Sequence, residues 1–165
     1  MTAAAISTRP TRRETLIAAA AAALFALLAV AIVRRLEAGG ALLPDRNFWL
    51  AIHLLTVIPA LPLGAWLLVR RKGDRLHKAL GRIWAAMMLV TAASSFGLHY
   101  VTAGLSPIHA LSALVLVSVP LAVRNARRGR IAAHKRAMTI VYASLVIAGA
   151  FTFLPGRLLG QWLLG

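Results

Sequence analysis

Five long apolar stretches constrain this chain more than any other feature. They run over about residues 15–33, 48–69, 83–102, 107–123 and 137–154. Each approaches the ~20 residues that cross a bilayer at ~1.5 Å rise per residue. No acidic residue lies between Thr15 and Val33 or after Asp74. That pattern excludes an ordinary soluble domain, and the short connections leave no room for a separate one. The expected fold is all-α, an integral membrane bundle of five transmembrane helices in which helices two to five form a four-helix core. Residues 1–14 are expected to be a basic cytoplasmic tail and residues 15–165 a single transmembrane helical domain.

The formal net charge is +15. Nucleic-acid binding is the naive reading, but the charge sits in the connections between spans. Of 19 Lys and Arg, all but Arg34, Arg35, Arg46 and Arg157 fall in the tail or in the loops after the second and fourth stretches. The positive-inside rule then puts the N-terminus in the cytoplasm and the C-terminus outside, in a bacterial inner (plasma) membrane. Some of these basic residues are expected to meet anionic lipid headgroups. The chain has no Cys, which excludes disulfides, thiolate chemistry, Cys-ligated metals and covalent attachment of a c-type haem.

Thr11-Arg12-Arg13-Glu14-Thr15-Leu16 loosely resembles a twin-arginine export signal. The run that follows is long for a cleaved segment, so it reads as a retained helix. It is almost wholly Ala and Leu and suggests packing or anchoring, with no chemistry. Phe48 and Trp49, Trp66 and Trp162 mark interfaces. Pro59, Pro62 and Pro120 are expected to bend their helices. Pro107 suits a first helical position with Ser106 as its N-cap.

Ionisable residues within membrane helices are costly and point to function. Four histidines lie at helix ends on alternating levels. His53 and His109 sit just inside the second and fourth stretches, near the outer face. His77 and His134 immediately precede the third and fifth stretches, near the inner face. In an antiparallel bundle this alternation makes two stacked pairs. Neutral imidazole is a good iron ligand, and bundle cores are natural cofactor sites. The pairs therefore suit one or two haems b, His53 with His109 and His77 with His134. From residue 77 onward, Gly81, Trp84, Met88, Ala92, Ser95 and His99 share one helical face, and Gly81 would admit a flat ligand beside His77. Arg75, Lys78, Arg82, Lys135 and Arg136 would neutralise haem propionates or meet lipid headgroups.

The strings His77-Lys78-Ala79-Leu80-Gly81-Arg82-Ile83-Trp84, Ser106-Pro107-Ile108-His109, Ala126-Arg127-Arg128-Gly129, His134-Lys135-Arg136-Ala137-Met138 and Phe151-Thr152-Phe153-Leu154-Pro155-Gly156-Arg157 carry a resemblance. The segment 77–157 resembles a family of small bacterial membrane proteins known as domain of unknown function 2306. That resemblance implies a membrane protein and no activity. The order of histidines over helices two to five also looks like the four-helix core of the cytochrome b-561 group. This second resemblance implies electron transfer across the membrane through two bis-histidine haems b. Helices two and four would share one haem, and helices three and five the other. The electron partners would be a quinone or redox proteins.

Other readings stay open. His53, His99 and His109 lie at one depth and could bind Cu or Zn, although no carboxylate stands by to orient them. The histidines could instead make interhelical hydrogen bonds in a non-catalytic accessory protein, or serve a metal-ion or small-molecule carrier. Ser94, Ser95 and Ser112 read as interhelical glue, and Met87, Met88 and Met138 as packing. No acidic side chain is expected in the core, which disfavours hydrolase chemistry.

Overall fold

The computed structural model describes residues 10–40, 48–101, 107–155 and 157–164. The described residues are helices joined by short turns, with no strand among them. The helices are α1 (Arg12–Glu37), α2 (Phe48–Val69), α3 (Arg75–Ser95), α4 (Pro107–Arg127), α5 (Ile131–Phe151) and a short α6 (Leu158–Leu164). A 3₁₀ segment, Phe96–Val101, follows α3. Helices α1 to α5 are each long and apolar enough to cross a membrane.

Local chemistry sets the ends. Thr11 and Glu14 form a capping box at the start of α1: Thr11 Oγ1 accepts from Glu14 N–H at 3.3 Å, and Glu14 Oε2 accepts from Thr11 N–H at 2.8 Å. Asp74 caps α3, its Oδ1 accepting from His77 N–H at 2.6 Å. The turns before α3 and α5 are tight because Gly73 and Gly129 take φ of +92° and +72°, a region open to glycine.

Four helices form a closed ring. Helix α2 packs on α3, α3 on α4, α4 on α5, and α5 returns to α2. Helix α2 therefore stands diagonally across from α4, and α3 from α5. Helix α1 lies outside the ring against α2 and α5, and α6 folds back onto α1. The buried stripe of α1 is Glu14, Ala21, Leu24, Leu28 and Ala31, and its alanines let backbones approach closely. At its other end, Arg34 donates to Leu163 O at 2.6 Å and Arg35 stacks on Trp162 at 5.9 Å. Lipid-facing Leu16, Val30 and Val33 remain exposed.

The ring is tightest at mid-height. Pro59 and Pro62 interrupt the hydrogen-bond ladder of α2, and Gly64 removes a side chain there. Trp84 of α3 and Tyr142 of α5 press into that gap. Trp84 Nε1 donates to Ala60 O at 2.9 Å, Tyr142 Oη donates to Leu61 O at 2.7 Å, and their rings lie 6.1 Å apart. Met88, Val115, Val119 and Val141 complete the core.

Several boundaries differ from those expected. Helix α3 begins at Arg75, beside the start expected within Leu76–Gly81, and α5 begins about two turns earlier than its apolar run, because Asp74 and the Gly129 turn start them there. His77 and His134 are consequently inside helices. Helix α4 continues to Arg127, and α5 stops at Phe151. Helix α1 starts at Arg12, within the segment expected as a tail, and Glu14 is buried; residues 1–9 and the expected cap Ser106 lie outside the described residues.

Candidate functional site

The two ends of the ring carry different chemistry. The end formed by the turns at residues 70–74 and 128–130 is the basic end; the opposite one is the far end.

At the far end, His53 on α2 points to α3. Its Nδ1 lies 3.1 Å from Thr91 O and 3.2 Å from Ser94 Oγ. A carbonyl oxygen only accepts, so Nδ1 carries the proton and Nε2 of the neutral ring carries the lone pair. Ser94 Oγ in turn donates to Thr91 O, and Thr91 Oγ1 donates to Thr56 Oγ1 at 2.7 Å. His109 on α4 is buried, with its ring 5.3 Å from that of Phe96. One turn below it, Ser112 accepts a 2.7 Å bond from Ser95. His53 and His109 thus reach the end of α3 and the start of the 3₁₀ segment, residues 91–96, from the two helices that flank α3. Neither points to lipid. Ser94, Ser95 and Ser112 bond within and between helices, as glue. The side chain of His99 lies outside the described residues. Among the described residues no group of three or more His, Cys, Asp or Glu is placed to hold a metal ion.

At the basic end, His134 of α5 donates from Nδ1 to Ala122 O of α4 at 2.9 Å. His77, in the first turn of α3, lies within electrostatic reach of His134, Arg70, Lys72 and Asp74. Its Nδ1 is buried without a hydrogen-bond partner. A Cβ added at Gly81, one turn along, would meet nothing within 4 Å, so the space beside His77 is open there.

The polar cluster at this end has members that sequence reasoning passed over. Glu14 is 1 % exposed and pairs with Lys72 at 3.4 Å and Lys135 at 3.2 Å. It is a buried acid in a segment expected to be a basic tail, outside the four-helix ring, and it gives α1 a chemical role beyond packing. The signal was present: Thr-x-x-Glu before an apolar run is a capping box, and it places Glu14 in the first turn, where the basic loops fold over it. Asp74 joins Arg70 at 2.5 Å to His77, and Arg70 lies 4.2 Å over the Trp66 ring. Of the five basic residues expected near a propionate or headgroup, Lys135 turns inward onto Glu14. Arg75, Lys78, Arg82 and Arg136 are exposed, as lipid headgroup contacts require.

The residues present fit haem in their chemistry. Each level offers two imidazoles from diagonal helices, and on each level one of them is fixed by an Nδ1–H···O=C bond of the kind that orients metal-binding histidines. Along α3 the levels, at residues 77 and 94, are about 25 Å apart at ~1.5 Å per residue.

These features define a class: a helical membrane protein built as a four-helix ring with an added N-terminal helix and polar residues at both ends. The chain belongs to the predicted membrane protein family DUF2306, whose model matches residues 50–159. The match takes in His53, His77, His109 and His134, runs from the third residue of α2 through α5, and leaves out α1. No curated protein and no solved structure matches the chain.

Proposed function

We propose that this protein is a b-type cytochrome that carries electrons through the thickness of the membrane, with His53 and His109 holding one haem b and His77 and His134 a second. The observation that carries the reading is the ring order. It makes α2 and α4 diagonal, and α3 and α5 diagonal, with the histidines of each diagonal at a common level. Bound haem supplies one-electron chemistry. The protein's own residues supply the rest. Thr91 O and Ala122 O fix the tautomers of His53 and His134 and hold the rings. Trp84 and Tyr142 fill the ring between the levels and exclude water. The electron partner at each end is a quinone or a redox protein.

A second reading is supported by the same carbonyl bonds. His53 and His134 tie neighbouring helices together, and such bonds serve a non-catalytic membrane protein equally well. Spectroscopy separates the two. Protein purified from haem-replete cells should show a dithionite-reduced minus oxidised b-type spectrum, and His109→Ala should lose part of it. A colourless preparation supports the second reading, and full haem content in His109→Ala contradicts the assignment of His109.

A further inference from the structure

Among the described residues, the buried side-chain atoms that lack a hydrogen bond all gather at the basic end: Glu14 Oε1, Arg70 Nη1 and His77 Nδ1. They come from three separate segments, α1, the turn after α2, and α3. Asp74 ties two of them together, its Oδ2 taking Arg70 Nη2 and its Oδ1 taking His77 N–H. Lys72 and Lys135 approach the third.

Charges do not balance there. Each Asp74 oxygen accepts one hydrogen bond, and Glu14 Oε2 accepts one from Thr11 N–H. Lys72 Nζ donates to Leu68 O at 2.8 Å, Lys72 and Lys135 face Glu14 Oε1 only as ion pairs, and Arg70 Nη1 has no acceptor. The two lysine contacts of 3.2 and 3.4 Å exceed the about 2.7–2.9 Å of charge-assisted hydrogen bonds. Three cations face two carboxylates. The surplus at this end is one of positive charge. A group that only accepts and carries negative charge answers it well.

We infer that the basic end is a binding site for a small oxyanion, a phosphate or carboxylate group held by Arg70, Lys72, His77 and Lys135. Glu14 is the internal counter-charge that limits how tightly the anion is held. The inference does not rest on haem. The oxyanion has two sources. One is a soluble cytoplasmic anion. The other is an anionic phospholipid whose chain lies in the apolar groove of about 330 Å³ between α1 and α2, lined by Ala18, Ala21, Phe25, Pro62 and Trp66, with its phosphate at Arg70 beside Trp66.

The test is a thermal melt of the whole purified protein. In neutral detergent, inorganic phosphate is titrated against chloride at equal ionic strength. In nanodiscs, phosphatidylglycerol is compared with phosphatidylcholine. Stabilisation by phosphate identifies a soluble anion; stabilisation by phosphatidylglycerol alone identifies the headgroup. Arg70→Gln should weaken the effective ligand at least ~10-fold, equivalent to about 1.4 kcal/mol, and Glu14→Gln should strengthen it by a similar factor. The exposed Arg128→Gln should change neither. If Arg70→Gln does not fold, Glu14→Gln decides: tighter binding supports the site, and unchanged binding overturns it. Equal melting in all four conditions also overturns it, as does an Arg128→Gln loss matching that of Arg70→Gln.

Discussion

Replacing Gly64 with Ala tests the mid-bundle lock. A Cβ at this position would fall inside van der Waals distance of the Tyr142 ring and 2.6 Å from Trp84 Nε1. Neither ring can retreat freely, because each donates to an α2 carbonyl one turn away. Overpacking of this kind costs about 1–3 kcal/mol. Loosening the two hydrogen bonds adds about 0.6 kcal/mol each, the average for such bonds in a membrane. The better helix propensity of Ala returns about 1 kcal/mol. The net destabilisation is therefore about 1–3 kcal/mol. Gly81→Ala is the matched control. It gains the same propensity and meets no atom within 4 Å, so it should be neutral or slightly stabilising. Unfolding in mixed micelles with increasing denaturing detergent, followed by Trp fluorescence, measures both. A Gly64→Ala protein as stable as the parent, or a Gly81→Ala protein equally weakened, would refute the packing argument.

Two further outcomes follow from the basic end and the topology. Asp74→Ala removes both the cap of α3 and the partner of Arg70. It should cost about 1 kcal/mol or somewhat more in the same unfolding assay, whereas Asp74→Asn, which keeps the cap oxygen, should cost less. The chain has no Cys, so single cysteines report sidedness cleanly. In intact cells, an impermeant maleimide should label Gly39→Cys and spare Arg128→Cys; the reverse pattern would invert the proposed orientation.

The spans were legible because lipid demands long apolar runs, and the runs name the helices directly. The start of α5 was less legible than that of α3. Hydropathy marks where the chain enters lipid, whereas Asp74 and Gly129 decide where the backbone begins to coil. The alternation of His53, His77, His109 and His134 showed their levels, since helix direction reverses with each span. Which histidines stand on diagonal helices depended on the ring closing through α5 and α2, a long-range fact with no local signal. Glu14 was the clearest oversight. Its motif spelled a capping box, but only the folded turn at residue 72 and the start of α5 bring Lys72 and Lys135 to it. Likewise, nothing local to Gly64 announces that Trp84 and Tyr142 converge on it.

The central claim is that imidazoles paired across the ring hold haem. Its most direct test is a haem count per polypeptide by pyridine haemochrome assay on the intact protein, repeated for His53→Ala and His77→Ala. The parent should carry two haems b and each variant one. A parent carrying no haem after expression in haem-replete cells, or variants that keep the full complement, would contradict it.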